Sequence, residues 1–140
     1  MHHLKIFTDA SVNTRLKVGY GAYLVVTNLA TSITTLRSKL KIKRFEQTSS
    51  TKSELQTLLC ALNEIIVLFD ENDFTLTIYT DSQNIIGLPR RQSGLEQSHY
   101  YSSKNKRLNN YEMYQEFYRL TSGVTYKLVK VTGHQASNNK

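Results

Sequence analysis

Three carboxylates stand where hydrolytic chemistry could use them. Asp9 closes an alternating segment, His3 to Asp9 (HLKIFTD); Asp81 follows a second strand-like run, Phe74 to Thr80; and Glu54 stands at the start of a strongly amphipathic stretch. Carboxylates brought together repel, so a cluster is costly unless a cation occupies it. Hard oxygen ligands suit Mg²⁺ or Mn²⁺ better than zinc. Each residue also has a plain structural role available. Thr51-x-x-Glu54 matches a capping box, Asp81 could cap a short helix that follows it, and Asp9 could stabilise a turn. Joint placement decides between these readings. If the first and fourth strands are parallel neighbours, Asp9 and Asp81 meet at one sheet edge, and Glu54 can face that edge. The other acids carry less: Glu64, Glu112 and Glu116 fall on polar helix sides, and Asp70, Glu71 and Asp73 fill a turn. These read as solvated surface, and Glu46 and Glu96 have no positional signal.

The elements that must position these groups follow from periodicity. Leu4, Ile6 and Thr8 alternate with Lys5, Phe7 and Asp9, the period of a strand. Gly19 to Thr27 (GYGAYLVVT) is rich in aromatic and β-branched residues, as strands are. Ser32 to Ile42 alternates again, with Leu36, Leu40 and Ile42 opposite Arg37, Lys39 and Lys41. Short turns between these three predict an antiparallel meander. After a Ser/Thr-rich stretch, Leu55, Leu58, Leu59, Leu62, Ile65, Ile66 and Phe69 recur at helical spacing. A strand at Phe74–Thr80 follows, then a short helix from Ser82 to Leu88 ended by Pro89. Residues 90–106 are polar and basic without a period. A helix over 108–121 and a strand from Thr125 to Val131 complete the chain. Three strands, then helix–strand–helix–strand, imply an α/β domain with a mixed sheet and helices packed on its faces.

Composition narrows the partners. The 140 residues, 39% of them hydrophobic, suit one domain with a continuous core. Eighteen Lys and Arg against eleven Asp and Glu leave a formal charge of +7, which favours polyanions, nucleic acid above all. The longest uncharged apolar run, Ile65 to Phe69, is far short of a membrane span. The single Cys60 has no disulfide partner and falls on the apolar helix face, so it reads as core. A reducing, cytoplasmic setting, a monomer and no membrane partner are the expectations. His2 and His3 are assigned no chemistry.

The segments TDAS (8–11), GYGAYL (19–24), TKSELQTLLCAL (51–62), YTDSQ (79–83) and KVTGH (130–134) resemble, in order and spacing, the motifs of type 1 ribonucleases H. The resemblance implies a ribonuclease H-like five-stranded mixed sheet, order 3-2-1-4-5 with strand 2 antiparallel, and helices on both faces. It implies an endoribonuclease that cuts the RNA strand of RNA–DNA hybrids, with Mg²⁺ (or Mn²⁺ in its place) held by Asp9, Glu54 and Asp81. Two cations would share the scissile phosphate during in-line attack of water. His134 matches a histidine that assists water activation or product release. Ser11 and the Ser50–Ser53 loop (Ser50, Thr51 and Lys52 among it) would grip the hybrid in its minor groove, where 2′-OH groups mark RNA. Many members carry Asn or Gln at Ser50-Thr51-Lys52. Arg90, Arg91, Lys104 and Lys106, with Arg107, match a basic substrate-binding protrusion, here without its usual tryptophans. The Arg37–Arg44 run reads as a solvent-facing stripe. The family's fourth carboxylate lies on a closing helix beyond the histidine, so a single domain over 1–140 lacking that helix is expected. The same fold serves transposases, integrases and resolvases. A catalytically impaired nucleic-acid-binding module, or a resolvase- or transposase-like nuclease, are therefore the alternatives.

Overall fold

The structure, a computed structural model, describes residues 2–27, 39–70 and 73–132. Its strands are β1 (His2–Asn13), β2 (Val18–Val26) and β3 (Lys41–Phe45). A long helix, α1 (Ser50–Leu68), then leads into β4 (Phe74–Thr80). Beyond it lie α2 (Gln83–Ile86), α3 (Leu88–Gln97), α4 (Tyr111–Thr121) and β5 (Thr125–Lys130). The strands form one five-stranded sheet in the order β3-β2-β1-β4-β5. β2 runs antiparallel to both its neighbours, while β1, β4 and β5 are parallel. The order and the antiparallel second strand are those expected.

Alternation along the strands sorts the side chains by face. Leu4 and Ile6 of β1 pair across to Leu76 and Ile78 of β4, and all four are at most 2% exposed. They pack beneath Leu55, Leu58, Leu62 and Ile65 of α1. Phe117 and Tyr118 of α4 join the same core, and Tyr118 donates a 2.7 Å hydrogen bond to the Leu88 carbonyl. Cover was expected on both faces; the packing of α1 and α4 accounts for one. On the other, Phe7, Tyr20 and Ile42 are exposed. Gly21 shows how closely α1 approaches. A Cβ there would lie 1.8 Å from the Thr57 hydroxyl, so any larger residue would push the helix off β2. Cys60 is partly buried against the core, as expected. Glu64, expected on the polar surface, instead accepts a 2.9 Å hydrogen bond from the Tyr23 hydroxyl, tying α1 to β2.

Several boundaries differ from the sequence reading, each for a physical reason. β1 does not stop at Asp9; its outer half continues to Asn13 because it pairs with β2 as far as Asn13↔Val18. The described part of the third strand starts at Lys41, where Tyr23 pairs with it, and runs on to Phe45; Ser32 to Ser38 lie outside the described residues. Pro89 does not end a helix. It occupies the first turn of α3, where a missing N–H costs nothing, and α3 orders the first part of the segment left without a period.

Candidate active site

The three carboxylates come together at one end of the sheet. Parallel pairing of β1 with β4 ends at Phe7↔Tyr79, and Asp9 and Asp81 lie two residues beyond those partners. The pleat therefore carries both past the point where the strands separate. Glu54 comes from the second turn of α1, above the same strand ends. Asp9, Glu54 and Asp81 line one small cleft, with Thr8, Thr57 and Thr80 among its walls.

The structural alternatives are taken by other residues. Ser49 is the N-cap of α1, its hydroxyl accepting a 3.2 Å hydrogen bond from the Lys52 N–H, so Thr51 and Glu54 form no capping box. Ser82, not Asp81, caps α2 by accepting from the Ile85 N–H at 3.2 Å. The turn after β1 is held by Asn13, whose side chain accepts from the Arg15 and Leu16 N–H groups. Asp9 accepts a 2.9 Å bond from the next N–H, that of Ala10. Ser82 has a second role that the sequence reading missed. Its hydroxyl also hydrogen-bonds the Glu54 carboxylate, linking α1 to the start of α2. A serine just past a strand and three residues before an apolar position is a cap signal, and that signal was available.

Burial pushes the half-buried Glu54 carboxyl above its ordinary value. The Ser82 hydrogen bond opposes the shift, and the negative charges of Asp81 and Asp9 add to it. Glu54 thus senses both aspartates. Among the described residues no three His, Cys, Asp or Glu side chains stand grouped closely enough to hold a metal ion as they are placed. The donor chemistry nevertheless fits a hard divalent cation, since carboxylate and hydroxyl oxygens converge on one cleft whose charges resist being left together.

The expected substrate-binding residues are placed as follows. Ser11 is exposed and lies two residues past Asp9 on the same strand face. Ser50, Thr51 and Lys52 are not a loop but the first turn of α1, a correction that follows from the Ser49 cap. Lys52 reaches back to the Gln47 carbonyl at 3.3 Å. Arg90 is exposed on α3, whereas Arg91 turns inward to donate to the Asn84 carbonyl at 3.0 Å and its side-chain oxygen at 2.9 Å. Arg107 sits between Tyr101 and Tyr111, 5.1 and 4.3 Å from their ring centres, and donates to the His99 carbonyl. Lys104 and Lys106 are exposed at the tip of that ordered turn, where the Ser102 hydroxyl accepts from both backbone N–H groups. His134 lies outside the described residues.

A mixed sheet in this order, with acidic residues where its central parallel strands part, defines the ribonuclease H-like class. The RNase H family model matches residues 1–140, and the chain belongs to that family. Two solved structures share the fold at low identity. One is a crystal structure of LC11-RNase H1 in complex with RNA/DNA hybrid: 13% identity, TM-score 0.66, covering 96% of this chain and 89% of that one. The other is a foamy viral protease-reverse transcriptase in complex with dsDNA: 9% identity, TM-score 0.70, covering 99% of this chain and 86% of that one. No curated protein matches the sequence.

Proposed function

We propose that this chain is an endoribonuclease that hydrolyses the RNA strand of RNA–DNA hybrids by two-metal-ion catalysis, with Mg²⁺ as cofactor and Mn²⁺ as a substitute. The observation that carries the reading is the convergence of Asp9, Glu54 and Asp81 from three separate elements on one cleft. Family membership supports it, as does a fold relative solved with an RNA/DNA hybrid.

Asp9, Glu54 and Asp81 would hold the cations. Bound there, divalent ions supply charge stabilisation at the phosphate and lower the pKa of the attacking water. The protein's part is geometry. Ser82 orients the Glu54 carboxylate, and the end of the β1–β4 pairing sets the separation of Asp9 from Asp81. Ser11 and the α1 first turn (Ser50, Thr51, Lys52) face the minor groove, where hydroxyls can bond 2′-OH groups. Arg90, Lys104 and Lys106 are exposed cations suited to phosphates, and the net charge of +7 steers the duplex in. Arg91, bound to Asn84, positions the α2–α3 corner instead of reaching for substrate. His134 is the group proposed to assist proton movement or product release.

A second reading keeps the binding and drops the cutting. The exposed cations and the net charge of +7 would hold nucleic acid whether or not the carboxylates take up metal. One experiment separates the two: incubate this chain with a labelled RNA–DNA hybrid in EDTA, Mg²⁺ and Mn²⁺, with double-stranded and branched DNA in parallel. Metal-dependent loss of the RNA strand alone is the expected result. Salt-sensitive binding without cutting in either metal would establish the binding module, and preferential cutting of DNA would establish a different nuclease.

A further inference from the structure

On the open face of the sheet a row of polar side chains continues from Ser11 to residues that the proposed active site does not use. Ser11 pairs with Tyr20, and Tyr20 pairs with Arg44, across β1, β2 and β3. Residues directly paired across strands point to the same face, so hydroxyl, phenol and guanidinium stand side by side. The adjacent row is Asp9, Ala22 and Ile42. Two surface depressions follow these rows and share Ser11 and Tyr20. One reaches from Asp9 to Ile42, and the other, of about 490 Å³, reaches from Ser11 to Arg44. Together the two depressions extend from the carboxylate end of β1 across the sheet to a positive charge.

Arg44 is poised for an anion. It is exposed, and it already holds a carboxylate, that of Glu46, at 2.9 Å. The Tyr20 hydroxyl also hydrogen-bonds its side chain. Solvent screens an exposed ion pair of this kind and leaves it weak, so a phosphate can displace Glu46 readily. The neighbouring Lys41 and Lys43 alternate with Arg44 and so face the helix side. Strands lie about 4.8 Å apart, which puts Arg44 roughly 10 Å from Ser11. That separation reaches a phosphate other than the one at the carboxylates.

We propose that Tyr20 and Arg44 form an outlying phosphate-binding subsite, in which the Arg44 guanidinium takes a backbone phosphate of the bound hybrid and Tyr20 holds that guanidinium in place. The subsite rests on the hybrid-cutting reading for its substrate and adds a contact that positions the duplex along these depressions. Phosphate contacts of this kind set register and carry no sequence information.

The test compares wild type with Arg44→Ala, Arg44→Lys, Tyr20→Phe and, as a matched charge removal on the same face, Lys127→Ala. Binding of a labelled hybrid is measured across a salt series in EDTA, and cleavage kinetics are measured in Mg²⁺. Arg44→Ala should weaken binding about 3- to 10-fold and lower the salt slope by about 0.9. It should raise KM with kcat within about twofold, because the contact is uniform between ground and transition states. Arg44→Lys should recover part of the loss, and Tyr20→Phe should show a smaller loss of the same kind. Thermal midpoints matching wild type would exclude a folding defect at these exposed positions. If the wild type binds and cuts while Arg44→Ala matches Lys127→Ala in affinity, slope and KM, the subsite is wrong and the hybrid-cutting reading survives. If the wild type binds without cutting and Arg44→Ala still loses slope, the subsite stands and the catalytic reading falls. A wild type that binds no hybrid overturns both.

Discussion

Ile6 and Phe7 are neighbours on β1, yet one is fully buried and the other is 40% exposed. The contrast holds for the two faces of the central strands β1 and β4. Beneath α1 and α4 the side chains are apolar and sealed: Leu4, Ile6, Leu76 and Ile78. On the other face Asp9, Ser11, Tyr20, Ile42 and Arg44 meet solvent. A strand can serve both because its side-chain period is two. Stability is concentrated on one set of alternate residues, which leaves the other set free for charge and binding. The carboxylate cleft sits where the two regimes meet. Asp9 comes from the open face, and Glu54 comes from the helix over the closed one.

The sharpest way to break this comparison is to alter each side in turn. Asp81→Asn should abolish hybrid cleavage, a loss of about 10³-fold or more, since under the proposed mechanism Asp81 is a ligand to ions that supply several kcal/mol of the barrier reduction. Its thermal midpoint should not fall, because one of the charges crowding Glu54 is removed. Cleavage assays and melting curves on the same preparation check both halves, and a variant that loses activity by unfolding would defeat the claim. Ile78→Ala, on the sealed face, should do the reverse. It should cost about 2–5 kcal/mol of stability by denaturant unfolding, while surviving folded protein keeps its kcat.

Gly21→Ala tests the seam between the two. The added Cβ meets Thr57 and should cost about 1–3 kcal/mol. Thr57 is three residues along α1 from Glu54, so hybrid cleavage should fall as well. Adding Thr57→Ala should restore part of both losses, and strict additivity in the double mutant would mean that the close approach is unimportant.

pH gives a smaller effect. The Glu54 carboxyl is raised in the folded protein, above its value of 4.5 when unperturbed. The folded state therefore binds the proton more tightly than the unfolded one. The stability this confers is fully present below pH 4.5 and is lost as pH rises through the raised folded value. In EDTA, Glu54→Gln should flatten the stability profile over that window, while an unchanged profile would place the shift elsewhere. Smallest of all, Ser11→Ala should weaken hybrid binding only severalfold, the scale of one hydrogen bond of about 1 kcal/mol. Its binding to double-stranded DNA should change less.

Most of what the carboxylates require was legible in the sequence. Alternation over Leu4 to Thr8 and over Phe74 to Thr80, and the three-and-four spacing from Leu55 to Phe69, are local patterns set by the periods of strand and helix. They predicted the elements bearing Asp9, Glu54 and Asp81, and the motif order predicted the family. Tertiary structure decided what no local pattern carries. The Ser49 and Ser82 hydroxyls, not Thr51 and Asp81, satisfy the helix starts, because capping depends on where the backbone turns. Pro89 begins a helix instead of ending one, since a proline ring suits a first turn as well as it breaks a later one. The alignment of Ser11, Tyr20 and Arg44 depends on cross-strand register between segments far apart in the chain. Residue types and their periods are written along the chain; register and close approach exist only once distant segments have packed.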